Sequence, residues 1–194
     1  IADITYSKGS IMFWFKPAQL DTKSYIFSFK TRDLDGLAVC IESDNKLSVE
    51  IEKNNVKTSF SLKSDDTVNI NGWNYFGFSW EYRCDGNVYP EVFEFILNLN
   101  GKTKEKMSAD GEVFYFERDF ISYIIGGKLN DSLIIEQNSM FTGDITSVII
   151  PSAFRLDKYE INKYYEETKK IIYNDTTEKL VYTSLVNRYN LNSI

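Results

Sequence analysis

The sequence predicts an all-β chain: a two-sheet antiparallel β-sandwich with one short C-terminal closing helix. Three observations point there. Short runs of Ile, Val, Phe, Tyr and Trp, broken by turn residues, recur at strand spacing from Ile11 to Ile150. The period changes once, to a helical one, after Asp157. Aromatic residues, which favour half-buried pleated surfaces, make up 15% of the 194 residues, with 14 Phe and 13 Tyr. A chain of this length hides about 70% of its unfolded surface, enough for one large core.

The first strand is Ile11 to Lys16, inside "GSIMFWFKP" (Gly9 to Pro17). Ile11, Phe13 and Phe15 share one face and Met12 and Trp14 the other, so both faces need cover. The first group faces between the sheets. The second requires a helix or a returning C-terminal segment, with Ile161, Tyr164 and Tyr165, or Leu180, Tyr182 and Leu185, as the available cover. Packing is therefore favoured over a ligand platform for Trp14. Strands follow at Tyr25 to Lys30, Leu37 to Glu42, Lys46 to Glu52 and Val56 to Leu62, the last three separated by "SDN" and "KNN". Asn54 and Asn55 tolerate the positive φ of a hairpin turn. "WNYFGFSW" opens the strand Trp73 to Tyr82 and puts Phe76, Phe78 and Trp80 on one face, to fill the inter-sheet gap. Val92 to Leu99 ends at the turn "LNGK"; Ile121 to Gly126 and Gly143 to Ile150 complete the strands, and Pro151 stops the last.

The helix runs from Asp157 to Lys170. Ile161, Tyr164, Tyr165, Ile171 and Ile172 recur at helical spacing, and Asp157 with Glu160 forms an acidic variant of the capping box. Lys169 and Lys170 match the negative end of the helix dipole. Residues 1–174 make one domain, and 175–194 a C-terminal extension or the start of a following domain.

Composition excludes several functions. Net charge is −6 with acids and bases interspersed, so no basic stripe exists to hold a nucleic acid. No apolar run approaches the ~20 residues of a membrane span. The opening "IADITYSKG" lacks the layout of a signal peptide, and the chain reads as an excised part of a larger multidomain protein. Cys40, in a strand, and Cys84, in a loop, read as free thiols. With no histidine, serine or cysteine catalysis with a histidine partner and most zinc chemistry fall away. The abundance of Ile, Asn and Lys points to an AT-rich bacterial genome.

Five blocks, in order, carry a resemblance. "GSIMFWFKP", "WNYFGFSW", "FILNLNG" (Phe95 to Gly101), "IIGG" (Ile124 to Gly127) and "FTGDITSVIIPSAFRLDKYEINKYYE" (Phe141 to Glu166) resemble a laminin-G-like, concanavalin A-like jelly-roll domain over about residues 4 to 170. The resemblance implies a last strand followed by a small helix that closes one end of the sandwich. It also implies a binding module more often than an enzyme, with glycans and glycosylated proteins as ligands and often one structural calcium. In many members the last strand contains an Asp-Glu pair; Thr146 and Ser147 stand there in this chain, so no function resting on that pair carries over.

Sugar recognition needs a flat aromatic with polar neighbours. The loop "EYRCDGNVYPE" brings together Tyr82, Arg83, Asp85, Asn87 and Tyr89, and Tyr115 next to Phe116 in "GEVFYFERDF" puts one aromatic outward. These residues are candidate glycan contacts or covers for the core edge. Asp33 and Asp35 in "TRDLDG" are candidate calcium ligands, with Asp65, Asp66 and Asn69 in "KSDDTVN" a second oxygen cluster; both also suit turns. Hydrolysis of a glycosidic bond needs two carboxylates. The best alternate pair, Glu50 and Glu52, reads as a solvated strand face opposite Val49 and Ile51, and the E-x-D-x-x-E pattern of concanavalin A-like glucanases is absent.

The resulting expectation is a non-catalytic recognition module of a secreted or surface-exposed bacterial protein, binding a glycan or glycosylated surface. A structural or protein-interaction spacer, or an adhesion domain of a phage tail, toxin or surface protein, is the second reading. A glycoside hydrolase is the third.

Overall fold

Alternation of apolar and polar residues gives each of two five-stranded antiparallel sheets one dry face, and the dry faces meet. The computed structural model describes residues 8–18, 23–31, 36–53, 56–83, 92–107, 120–130, 132, 134–136, 140–151 and 155–174. Its elements are β1 (Lys8–Pro17), β2 (Ser24–Thr31), β3 (Gly36–Ile41), β4 (Lys46–Lys53), β5 (Val56–Thr67), β6 (Asn74–Arg83), β7 (Val92–Leu99), β8 (Lys102–Met107), β9 (Phe120–Ile125), β10 (Gly143–Ile149) and α1 (Lys158–Asn174). The first sheet runs β10-β1-β6-β7-β8 and the second β5-β4-β3-β2-β9. Between them lie Ile11, Phe13 and Phe15 of β1 and Phe76, Phe78 and Trp80 of β6, facing Phe27 and Phe29 of β2, Val39 of β3 and Val49 and Ile51 of β4.

Every expected strand is present. One more, β8, was not expected. Its sequence KTKEKM offers no apolar face, because it is the edge of the first sheet and needs none. Lys102 and Lys104 reach across to Asp66 and Asp65 of β5, the edge of the second sheet, at 2.8 and 2.6 Å. A lysine-rich edge also discourages pairing with another chain.

Several register shifts interrupt the ladders, two of them in β2 and β10. In β2, Tyr25 pairs with Cys40 and Phe27 with Val39, so Ile26 is an extra residue. Both Ile26 and Phe27 then face the core, and Tyr25 is displaced to the outer face. In β10 an extra residue lies between Thr146 and Ile149, and Ser147 there has φ 55°, a left-handed conformation uncommon outside glycine.

The turn after β7 holds Asn100 at φ 54° and Gly101 at φ 86°, as a two-residue hairpin of this twist demands. Asn74, fully buried, ties this end together. Its amide donates to the Asn69 and Gly72 carbonyls at 2.8 and 3.0 Å and accepts from Asn100 at 3.1 Å.

The helix lies across the outer face of the first sheet, which corrects the expectation that it closes an end. Met12, Trp14, Tyr75 and Ile96 on the sheet meet Leu156, Ile161 and Tyr165 in a second apolar cluster. Trp14 is 1% exposed; its ring stacks on Tyr165 with centroids 5.8 Å apart, and its indole N–H donates to Thr168 Oγ1 at 2.9 Å. Gly77 leaves the groove: a Cβ there would lie 2.6 Å from Ile161 Cγ2. The entry is pinned by polar groups. Leu156 N–H donates to Ser10 Oγ at 2.8 Å, Ser79 Oγ–H donates to Leu156 O at 2.9 Å, and Arg155 joins Glu81 and Glu94, each at 2.8 Å. Asp157 caps the helix as expected, accepting from the Tyr159 and Glu160 amides while Glu160 accepts from the Asp157 amide. The helix continues one turn past Lys169 and Lys170, to Asn174.

Candidate functional site

The outer face of the second sheet is built from the residues of β2, β3 and β4 that alternate away from the core: Tyr25, Ser28 and Lys30; Ala38 and Cys40; Ser48, Glu50 and Glu52. Lys23, just before β2, and Lys128, just after β9, add their side chains. No helix packs here among the described residues. The segment after β9 crosses β2 instead, where Leu129, itself buried, donates its N–H to Ser28 Oγ at 3.1 Å.

Charges on this face are paired throughout. Lys23 bridges Glu42, at 3.1 Å, and Glu50. Glu52 takes Lys30 at 3.4 Å and Lys128 at 2.5 Å. Tyr25 O–H donates to Glu50 Oε2 at 3.1 Å, and the ammonium groups of Lys23 and Lys128 lie 5.4 and 5.3 Å from the centroid of the Tyr25 ring. The lattice has a depth gradient. The Glu50 side chain is 3% exposed, that of Glu42 23% and that of Lys23 32%.

This overturns the reading of Glu50 and Glu52 as a solvated strand face. Both point away from the core, as alternation requires, but the lysines cover them. A carboxylate buried as deeply as Glu50 needs a charged partner and hydrogen bonds, and Lys23 and Tyr25 supply both.

The titrating groups respond to that burial. For Lys23, burial works against the ammonium, yet the hydrogen bond to Glu50, the nearby Cys40 and Glu42 outweigh it and its pKa rises. Burial first, then the Glu50 charge, push both the Tyr25 hydroxyl and the Cys40 thiol well above their usual ranges. Burial opposes the Lys128 ammonium as well, but Glu52 carries its pKa upward.

Cys40, Glu42 and Glu50 bring one sulfur and two carboxylates within 4.8 Å of one another, a spacing a metal can bridge. Here the Lys23 ammonium bridges the carboxylates, and the Cys40 thiol keeps its proton, donating to Glu42 at 3.4 Å. The same arrangement gives Glu42 and Glu50 a shared cation.

Most of the residues singled out in the sequence fall outside the described residues. Tyr82 and Arg83 end β6, where they pair with Phe93 and Val92 of β7, and their side chains lie outside the described residues. Asp85, Asn87, Tyr89 and Tyr115, with Asp33, Asp35 and Cys84, also lie outside the described residues. Asp65 and Asp66 pair with lysines of β8 instead of converging on one point. Sequence reasoning missed Lys23, Tyr25, Glu42 and Lys128. The available signal was the alternate pair Glu50 and Glu52, whose partners come from strands distant in the chain.

No protein-family model matches the chain, and no curated protein matches it in sequence. Solved structures do. The chain is similar over 83% of its length to the CBM40 of the Ruminococcus gnavus IT-sialidase bound to α2,3-sialyllactose, covering 84% of that chain at 15% identity and a TM-score of 0.58. It is similar over 82% to domain 4 of AbnA, a GH43 extracellular arabinanase from Geobacillus stearothermophilus in complex with arabinotriose, covering 66% of that chain at 16% identity and a TM-score of 0.54. Domains LG4-5 of the mouse laminin α1 chain match over 81% of this chain and 38% of theirs, at 10% identity and a TM-score of 0.50. With two antiparallel sheets in this order and these neighbours, the chain has the jelly-roll fold of laminin-G-like, concanavalin A-like domains.

Proposed function

We propose that this chain is a non-catalytic glycan-binding module whose ligand face is the outer face of the second sheet, at Lys23, Tyr25 and Glu42. One observation carries the site: of the two outer faces, this one presents preorganised charged and hydroxyl groups, and the other is filled by α1. Groups already held in place lose little freedom when a ligand arrives. The shared fold supports the class, since similar modules were solved with sialyllactose and arabinotriose bound. An extracellular or surface setting in a larger bacterial protein belongs to the same proposal, as do glycan contacts at Tyr82, Arg83, Asp85, Asn87, Tyr89 and Tyr115 and a structural calcium at Asp33 and Asp35. No helix among the described residues is long and apolar enough to cross a membrane.

A glycan array probed with the chain, with and without calcium, tests the proposal. Binding to at least one glycan, weakened by Lys23→Met in protein that still melts cooperatively, is the expected result. An array silent in both conditions sinks it.

A further inference from the structure

The lattice on the second sheet also bears on the charge of the ligand, an inference that rests on the glycan-binding reading above. We infer that the Lys23–Glu42 pair recognises an uncharged sugar through neighbouring hydroxyl groups, and that this face discriminates against acidic glycans. Charge balance comes first. Among the described residues, the ammonium groups of Lys23, Lys30 and Lys128 meet the carboxylates of Glu42, Glu50 and Glu52, and each lysine is already bonded to at least one of them. Glu136 adds further negative charge near Lys128. An arriving anion that bonds one of these ammonium groups comes to lie beside the carboxylate already paired with it, where like charges repel. The chain as a whole, at −6, gives such an anion no attraction.

A hydroxyl faces no such conflict, because it accepts and donates at once. Lys23 Nζ and Glu42 Oε1 stand 3.1 Å apart at the most accessible point of the lattice. The ammonium donates to one sugar hydroxyl while the carboxylate accepts from its neighbour, and both bonds are strengthened by charge. Glu50 beneath holds Lys23 in position and Tyr25 holds Glu50, so the pair keeps its geometry. Stacking on Tyr25 plays no part, since the ring already carries two ammonium groups within 5.4 Å.

Calorimetry with matched probes, each neutral oligosaccharide set against its sialylated or uronate-bearing counterpart (lactose against 3′-sialyllactose among them), tests the inference at low and high sodium chloride. A neutral member binds more tightly than its acidic counterpart, its affinity changes less than about two-fold with salt, and Glu42→Gln weakens it about ten-fold or more. Glu42 lies at the surface of the lattice, so this variant keeps the fold, and thermal melting verifies that. Tighter binding of the acidic members with strong salt dependence overturns the inference while the glycan-binding reading stands. Neutral binding untouched by Glu42→Gln overturns the placement on this pair. Silence from every probe overturns the inference and the glycan-binding reading together.

Discussion

The two outer faces of this sandwich are made by the same rule and have opposite chemistry. On the first sheet, the residues that alternate away from the core include Met12, Trp14, Tyr75, Gly77 and Ile96, and these need a cover. On the second they are Tyr25, Cys40, Ser48, Glu50 and Glu52, and they need counter-charges. One face recruits a helix and buries aromatic area; the other recruits lysines and closes a lattice of ion pairs. Burial is thus not the mark that separates scaffold from site, because Trp14 and Glu50 are equally inaccessible. What separates them is whether the buried group ends in a dry contact or in polar atoms continuous with part-exposed ones, as Glu50 does through Lys23 to Glu42.

The largest effect is expected on the helix side. Trp14→Ala removes the stacking on Tyr165 and the bond to Thr168, and a cavity of that size costs about 4 kcal/mol. Urea denaturation monitored by circular dichroism measures it. A loss below about 1 kcal/mol would mean that α1 is not held by this face.

The lattice comes next. Lys23→Met leaves the Glu50 carboxylate buried with only part of its support, an arrangement costing about 3 kcal/mol. Adding Glu50→Gln to that variant removes the stranded charge and restores much of the loss. If the double variant is as unstable as the sum of the two single ones, the pair is not coupled and the contrast between the faces fails.

Alkaline pH tests the same face without mutation. Cys40, Tyr25 and Lys23 hold their protons more tightly folded than unfolded, against ordinary values of 9.0, 10.0 and 10.5. Their contribution is complete below those values and drains as pH rises through them, so stability is flat to about pH 9 and falls beyond it. Urea midpoints across that range show the decline. A flat profile to about pH 11 would contradict the lattice.

The smallest effect belongs to the helix entry. Asp157→Ala removes the side-chain cap on the Tyr159 and Glu160 amides and costs about 1 kcal/mol. It leaves the lattice untouched, so its pH profile parallels that of the parent chain.

Much of the fold was legible because its signals are local. The face of β1 and β6 that points inward follows from alternation of Phe and Ile, and the start of α1 from Asp157 and Glu160. Strand β8 was not legible, since an edge strand with lysines turned to the sheet gap shows no apolar period. The candidate site was the least legible. Lys23 with Tyr25, Glu50 and Lys128 come from three places in the chain, and nothing in any one stretch announces the others.

The sequence by itself determined the class of the fold, both apolar faces of β1 and the helix and its cap, because each depends on neighbours a few residues away, and composition alone excluded histidine chemistry. Only the tertiary structure decided which way Tyr25 points and what meets Glu50. Alternation alone groups Tyr25 with Phe27 and Phe29, facing the core. The extra residue Ile26 reverses it, and the register of β2 on β3 and of β3 on β4 then carries Tyr25 to Glu50. A one-residue change of register moves a side chain from one face to the other, and pairing between distant strands sets it.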